Sequence, residues 1–415
     1  MPRSSPYATH WPLDPDVVFL NHGSFGACPT PVLEAQRARR KRMESEPVRF
    51  MVDELEPALD EARLRVGAFL GADPDDIAFV HNATSGVNAV LRSLRFARGD
   101  EILAADHEYN ACLNAARYVA ERDGARLVVA ALPFPVAGPD EIVERVLAAI
   151  TPRTRLALLS HVTSPTAVVL PMADLARELS ARGVEVLVDG AHVPGMLPVD
   201  LRALETSGVA YWTGNLHKWV CAPKGAAVLW VRRDRQVAIH PLTISHGAND
   251  PRPDRSRFRL EFDWMGTDDP TAWLAAPAAI DFVGGLLPGG WPEVMARNHA
   301  LVLAGRDAVC RRLGVAPPVP DTMIGSMAAV LLPEDAGAAA SAALSPLDAD
   351  PIQLALRERF RIQIPVLPWP TPWTPGFSAD MARRRLVRLS AQLYNDPAEY
   401  DLLAEGLAEV LAGRG

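Results

Sequence analysis

Of the 42 basic side chains in this 415-residue chain, only three are lysine: Lys41, Lys218 and Lys224. A guanidinium keeps its proton at accessible pH and forms no imine, whereas a lysine amine can. A lysine kept in so arginine-rich a chain is a candidate for covalent chemistry with a carbonyl. Lys41 stands in RARRKR and reads as part of a solvated helix face. Lys224 lies in APKG, a tight turn leading into an apolar run. Lys218 lies in TGNLHKWV, between His217 and Trp219, where partial desolvation would lower its pKa and sharpen it as a nucleophile. Two further groups stand at comparable places. IAFV is followed by HNATSGVNAVLRSL, where Thr84 and Ser85 open a helix, and N–H groups at such a start make a phosphate cradle. VEVLVD runs into DGAHVPG, so Asp189 ends an apolar strand, where an unpaired carboxylate would be costly. A protonated pyridine nitrogen would fit it, and that pairing makes a pyridoxal ring an electron sink. Singly, each feature has a plainer reading: an N-cap at Thr84 or Ser85, an ordinary strand-end Asp189, a surface Lys218. In this order along one chain they point to pyridoxal 5'-phosphate held as a Schiff base on Lys218, with His217 donating to its phosphate.

What must position these groups is a sheet. Candidate strands run over 77–80, 101–106, 126–132, 155–162, 184–189, 209–213 and 226–231, with amphipathic helical segments at 110–122, 140–150 and 172–182. This alternation predicts an α/β fold: a large domain with a mostly parallel seven-stranded sheet covered by helices. Ligands of such sheets bind beyond the carboxyl ends of the strands, which is where Thr84, Asp189 and Lys218 fall. A long helix over about 31–70, broken at Pro47 or Pro57, precedes the sheet. After about 275 come a helix at 291–313, a Pro- and Ala-rich stretch at 314–349, a strand-like RIQIPVLP and a closing helix at 396–413. The expected organisation is an N-terminal arm contributing to the site (1–30), a large domain (31–275) and a smaller C-terminal α/β domain (276–415). The Ala-rich piece 335–346 reads equally as a mobile loop or a short helix.

Composition narrows the function classes. An apolar fraction of 49% and a charged fraction of 22% suit an ordinary globular chain. A net charge of −8 argues against nucleic acid or an anionic membrane as the main partner. No apolar run reaches the roughly 18–20 residues that span a bilayer, and the N-terminus has no apolar signal region, so cytoplasmic residence is the expectation. Cys28, Cys112, Cys221 and Cys310 are far apart without CxxC spacing, which suits neither a disulfide framework nor a zinc site. No GxGxxG follows the first strand, against a nicotinamide dehydrogenase.

The segment FLNHGSFGACP at 19–29, together with the three strand-end groups, resembles the class V aminotransferase family of fold type I pyridoxal-phosphate enzymes, which includes cysteine desulfurases and isopenicillin N epimerase. The opening motif is similar to isopenicillin N epimerase-like proteins and to ergothioneine-pathway sulfoxide lyases. The resemblance runs from about 17 to 275, with a further match near 383–395. It implies that Lys218 carries the cofactor and shuttles protons at Cα, that Asp189 pairs with the pyridine nitrogen and that His192 lies near the phenolic oxygen. Tyr109 in DHEYNA would stack on the ring and Ser164 in HVTSPT would face its edge. Thr84, Ser85, His217 and Asn215 would hold the phosphate. Thr267 in WMGTDD would reach the phosphate of a neighbouring subunit, implying a homodimer with shared sites. Arg388, beside Arg383, Arg384 and Arg385, would bind the carboxylate of a small amino-acid substrate, and Asn21 and His22 would line the substrate pocket.

The resemblance leaves several reactions open after Cα deprotonation. Reprotonation from the opposite face gives epimerisation, for which His22, His192, His240 and His246 are candidate second groups. A β leaving group gives a C–S lyase, and protonation at the cofactor carbon gives an aminotransferase. RIQIPVLPWPTPWTPG holds no cysteine, which disfavours a persulfide route unless Cys28 or Cys112 reaches the site. Trp369 and Trp373 in that segment form either an apolar wall for a bulky substrate or simple packing of the smaller domain. Epimerase-like chemistry is the leading expectation. A non-catalytic relative that binds the cofactor or a partner is the reading from another class, opposed by intact Lys218, Asp189 and Arg388.

Overall fold

Seven apolar runs assemble into one sheet in the computed structural model of the chain, which describes residues 5–334, 337–345, 347–378 and 381–413. The strands are β1 (Ile77–Val80), β2 (Glu101–Ala105), β3 (Arg126–Ala130), β4 (Thr154–Ser160), β5 (Glu185–Asp189), β6 (Val209–Asn215) and β7 (Ala227–Val231). Their order is β1-β7-β6-β5-β4-β2-β3. Only β7 opposes its neighbours; every other pairing is parallel. Six strands therefore end on the same edge of the sheet. Every residue of β1, β2, β6 and β7 is buried, which is why these segments read as continuous apolar runs rather than as alternation.

The expected helix over 31–70 is two helices, α1 (Thr30–Ser45) and α2 (Leu55–Leu70), joined by a short helical turn and a π-helical turn. The break falls at Pro47 and not at Pro57. Glu46 leaves the helical region (φ −146°, ψ 71°), as a residue before proline tends to do. Pro57 sits in the first turn of α2, directly after the π-helical turn Phe50–Glu54, and the helix runs on through it. After β1, β2, β3 and β4 come α3 (Ala83–Ser93), α4 (Asn110–Asp123), α5 (Pro139–Ala148) and α6 (Met172–Ala181).

A second sheet holds β8 (Met327–Leu331), β9 (Val366–Trp369) and β10 (Arg384–Ser390), antiparallel in the order β9-β10-β8. The helices α7 (Gly290–Leu313) and α8 (Pro397–Ala412) pack against each other beside it. Within the Ala-rich piece, Ala338–Ala342 is a short helix, while 335, 336 and 346 lie outside the described residues. No helix among the described residues is long and apolar enough to cross a membrane.

The N-terminal arm ties the two sheets together. Val18–Phe19 pairs in parallel with Ile362–Gln363, the Gly23 N–H donates to Ser390 Oγ at 3.0 Å and the Ser390 N–H donates to the Leu20 carbonyl at 3.1 Å. Gly26 has φ +68°, and a Cβ there would lie 2.1 Å from the His217 carbonyl oxygen and 2.9 Å from Lys218 Cα. Gly26→Ala therefore combines a strained backbone with a collision against main chain that cannot move aside. A loss of about 2–4 kcal/mol is expected, read as a lower melting temperature; wild-type stability would contradict this packing.

Candidate functional site

The shared edge of the large sheet opens into a cavity of about 640 Å3. Nine of the residues expected from the sequence line it: Thr84, Ser85, Tyr109, Ser164, Asp189, His192, Asn215, His217 and Lys218. Asp189 and Asn215 are the last residues of β5 and β6, and Lys218 lies just beyond β6. Thr84 and Ser85 begin α3 after β1, and Tyr109 precedes α4 after β2.

The turn carrying Lys218 is closed by main-chain hydrogen bonds. The N–H groups of Leu216 and His217 both donate to the Ala226 carbonyl at 3.0 Å, and the Cys221 N–H donates to the Lys218 carbonyl at 3.0 Å. Burial, and then the charge of Arg388, lower the Lys218 pKa from 10.5 to about 7, against the opposing pull of Asp189. Its Nζ lies 3.2 Å from His192 Nε2. Lys224 lines the same cavity, but its amine donates to the Gly26 carbonyl at 3.0 Å. Lys218 is the amine open to new chemistry.

At one end of the cavity, Asp189 is buried and its carboxyl is pushed up by desolvation. Oδ1 accepts the Ala191 N–H at 2.9 Å and Oδ2 accepts the Cys112 thiol at 3.2 Å. Cys112 thus reaches the site, but as a hydrogen-bond donor. Burial and the adjacent Asp189 hold the thiol well above its ordinary pKa, so it is no nucleophile. Cys28 is buried and raised to about 12. His192 is buried and held neutral by desolvation. With Nε2 accepting from Lys218, Nδ1 carries the hydrogen, and this buried donor has no partner among the described residues.

At the other end stands the start of α3. The N-cap is Asn82, not Thr84 or Ser85: its Oδ1 accepts the Ser85 N–H at 2.8 Å and the Ser85 hydroxyl at 3.1 Å. Asn215 Oδ1 accepts the Ala83 N–H at 2.8 Å, fastening the helix start to the end of β6. Neither the N–H nor the hydroxyl of Thr84 has a donor–acceptor partner among the described residues. His217 donates from Nδ1 to the Ala226 carbonyl at 3.0 Å, leaving Nε2 unprotonated, and burial holds its pKa at about 4. A phosphate dianion would draw a proton onto Nε2. The donor set therefore fits pyridoxal phosphate: an amine for the aldehyde, a carboxyl for the ring nitrogen, an orphaned His192 donor for the phenolic oxygen and a helix start for the phosphate.

Arg388 lies in β10 and is only 4% exposed. Nη1 donates to the Ser164 carbonyl at 2.5 Å and to its Oγ at 3.3 Å, and Nη2 donates to Ser24 Oγ at 2.8 Å. Among the described residues no carboxylate pairs with it, and burial pulls its pKa down to about 10. Two of its neighbours are engaged elsewhere: Arg385 pairs with buried Asp350 at 3.0 Å and Arg384 with Glu334 at 3.7 Å. Tyr109 is 48% exposed on the cavity, as a ring awaiting a stacking partner would be.

A class-V aminotransferase profile matches residues 19–302. The chain belongs to the class-V aminotransferase family. It is 36% identical over 412 residues to the isopenicillin N epimerase of Amycolatopsis lactamdurans, covering 96% of each chain. It is 32% identical to a probable chloroplastic L-cysteine desulfhydrase of Arabidopsis thaliana, covering 95% of this chain and 83% of that one. Its fold matches a cysteine desulfurase of Escherichia coli with a TM-score of 0.76 at 21% identity, covering 98% of each.

Two expectations for this member of the class-V family need correction, those for His22 and Asn21. His22 does not line the cavity: it is fully buried behind the Lys218 turn, 2.7 Å from the Tyr394 hydroxyl and 3.0 Å from the Lys218 carbonyl. Asn21 does not line it either; its Oδ1 accepts the Ser24 hydroxyl at 2.6 Å, so it acts on the arm that touches Arg388. Thr267 is exposed and lines an adjoining cavity of about 270 Å3, which shares His81 and Ser85 with the first. Trp369 packs edge-on against Phe134 and His107, with centroids 5.0 and 4.9 Å apart, and neither Trp369 nor Trp373 lines the cavity. Trp369 is a packing residue. Cys112, Asn82 and Ser24 are site residues that sequence reasoning did not assign.

Arg388→Ala should raise KM for a carboxylate substrate roughly 10–100-fold, with lysine a poor replacement for the planar fork; an unchanged KM would refute the carboxylate role. The rate at which cofactor-free protein captures the pyridoxal aldehyde should rise with pH around about 7, because only the neutral amine attacks. A midpoint near the ordinary lysine value would show that Lys218 is not desolvated.

Proposed function

We propose that this chain carries pyridoxal phosphate on Lys218 and exchanges the Cα proton of an amino-acid substrate, as an epimerase of the isopenicillin N epimerase type. One observation carries the reading. Lys218 lines the cavity, the buried Arg388 guanidinium donates to Ser24 and Ser164 of its lining, and no carboxylate forms an ion pair with either cationic side chain among the described residues. A buried guanidinium is costly unless a ligand compensates it, as an amino-acid carboxylate would, and the neutral amine would be taken up by the cofactor aldehyde.

When bound, the cofactor supplies an electron sink that acidifies the Cα–H of the amino acid. Asp189 would hold the ring nitrogen, its negative charge favoured once a cation lies against it. Thr84, Ser85 and His217 would hold the phosphate, with Asn82 and Asn215 keeping the helix start in place. Arg388 would fix the substrate carboxylate, and with it the Cα–H beside Lys218 Nζ. The amine, released by the substrate and with a pKa near neutrality, would take that proton, and epimerisation requires a proton to be delivered to the opposite face of Cα. Of the four histidines considered as a second proton carrier, only His192 is at the cavity. His22 is sealed behind the turn, His240 pairs with Glu261 at 2.7 Å, and His246 is not among the cavity's lining.

A homodimer with shared sites belongs to the same proposal. Thr267 stands exposed beside the adjoining cavity, and exposed apolar Phe25 and Leu242 line the two cavities, as surfaces that a second copy would cover. A C–S lyase is the second reading, favoured by the relatives named L-cysteine desulfhydrase at 32% and 31% identity. A persulfide route is not supported, since Cys112 is a protonated donor to Asp189 and all four cysteines are buried.

The deciding experiment incubates the holoenzyme in heavy water with L-amino acids and S-oxidised cysteine conjugates. Deuterium at Cα with inverted product is expected for the epimerase; pyruvate with ammonia would install the lyase instead. Lys218→Ala should lose the visible cofactor band, and a band that survives would overturn the lysine assignment.

A further inference from the structure

His22 occupies an unusual place for a histidine of the opening motif. Both ring nitrogens are engaged: Nδ1 with the Tyr394 hydroxyl at 2.7 Å and Nε2 with the main-chain carbonyl of Lys218 at 3.0 Å. A carbonyl only accepts, so Nε2 carries the hydrogen. Burial holds the imidazolium pKa at about 3, so the ring is neutral and Nδ1 accepts from the Tyr394 O–H. The partners themselves fix the tautomer. The ring is also wedged between Trp219 and Tyr394, with centroids 4.8 and 5.7 Å away.

The carbonyl that His22 holds also accepts the Cys221 N–H at 3.0 Å. Two donors therefore pin both lone-pair directions of one peptide oxygen. Cys221, three residues on, is buried at φ +62°, a conformation that a non-glycine residue keeps only when its surroundings enforce it. The arm supplies that enforcement from outside. Gly26 lies against the His217–Lys218 main chain, and its own carbonyl accepts from Lys224. The lysine stem is long and flexible, so the amine can be aimed only if Cα and the peptide behind it are held.

We propose that His22 is a positioning residue for Lys218. From behind the turn it fixes the peptide that follows the lysine, so that the amine projects toward His192. The role rests on the reading of Lys218 as the cofactor lysine. It differs from a pocket or acid–base role, because the ring reaches the reacting atoms only through main chain. It differs from packing, because it depends on a donor aimed at one oxygen.

The test compares wild type with His22→Leu, His22→Gln and Tyr394→Phe as holoenzymes. The readouts are the pH midpoint of the visible cofactor band, kcat and KM, with the melting temperature of the cofactor-free protein alongside. Leucine fills the space without hydrogen bonds, and glutamine restores a donor toward the carbonyl. The leucine variant should lose roughly tenfold in kcat with KM within about threefold, and its midpoint should move by about half a unit or more. Glutamine should recover most of both, and Tyr394→Phe should move both in the same direction by less. A leucine variant with wild-type kcat and midpoint overturns the proposal. So does a kcat loss that glutamine does not recover and that leaves the midpoint in place. If the leucine variant does not fold, an unaltered kcat and midpoint in Tyr394→Phe overturns it. A wild-type holoenzyme lacking the visible band would instead defeat the cofactor reading.

Discussion

An amine that must attack an aldehyde near neutral pH has to be kept from its proton, and here burial does most of that work. Desolvation lowers the Lys218 pKa, the Arg388 charge lowers it further, and Asp189 pulls the other way without winning. The arrangement is costly for a chain left alone, since a proton on Lys218 is opposed by the buried Arg388 charge, and no ion pair among the described residues relieves either side chain. The rest of the molecule makes that arrangement rigid. β6 delivers the lysine turn, β5 delivers the carboxyl, and β10 of the second sheet delivers the guanidinium. None of these three could hold its place without the packing of both sheets and the arm between them.

That arm is the least conspicuous part of the fold and among the most consequential. Its residues touch both cations: Ser24 accepts from Arg388, while His22 and Gly26 hold the backbone of the Lys218 turn. Leu20 and Gly23 meanwhile exchange hydrogen bonds with Ser390 at the end of β10. A substrate carboxylate on Arg388 and a proton on Lys218 are thus mechanically related through one short segment of the chain.

The strands were legible because a sheet buried on both faces needs uninterrupted apolar runs, and turn residues end each run. The site groups were legible for a related reason: an open parallel sheet places its ligand at strand ends, so Asp189, Lys218 and Thr84 announced themselves by position. What escaped is tertiary. Asn82 was hidden among consecutive small or polar residues, several of which can cap a helix. Cys112 meets Asp189 because the first turn of α4 reaches the end of β5, an adjacency that spacing does not encode. His22 looked like a pocket residue because the motif around it is polar, yet the Lys218 and Tyr394 partners that bury it are 196 and 372 residues away. The choice between Pro47 and Pro57 turned on where each falls in its helical turn.

The same geometry bears on why relatives of this chain carry different reaction names. On the proposed reading, removal of the Cα proton would call on the amine, the carboxyl, the guanidinium and the phosphate cradle. The fate of the deprotonated substrate depends on which groups can move protons at Cα, and here they are few. Cys112 is committed to Asp189, His22 is sealed away, and His192 already contacts the lysine amine itself. With so little apparatus, the substrate decides much of the outcome. A substrate without a leaving group at Cβ must be reprotonated, at Cα or at the cofactor carbon, whereas one with a sulfur leaving group has a further exit by elimination. An epimerase and a desulfhydrase can then share one pocket, and the 36% and 32% identities to proteins of those two names become compatible rather than conflicting.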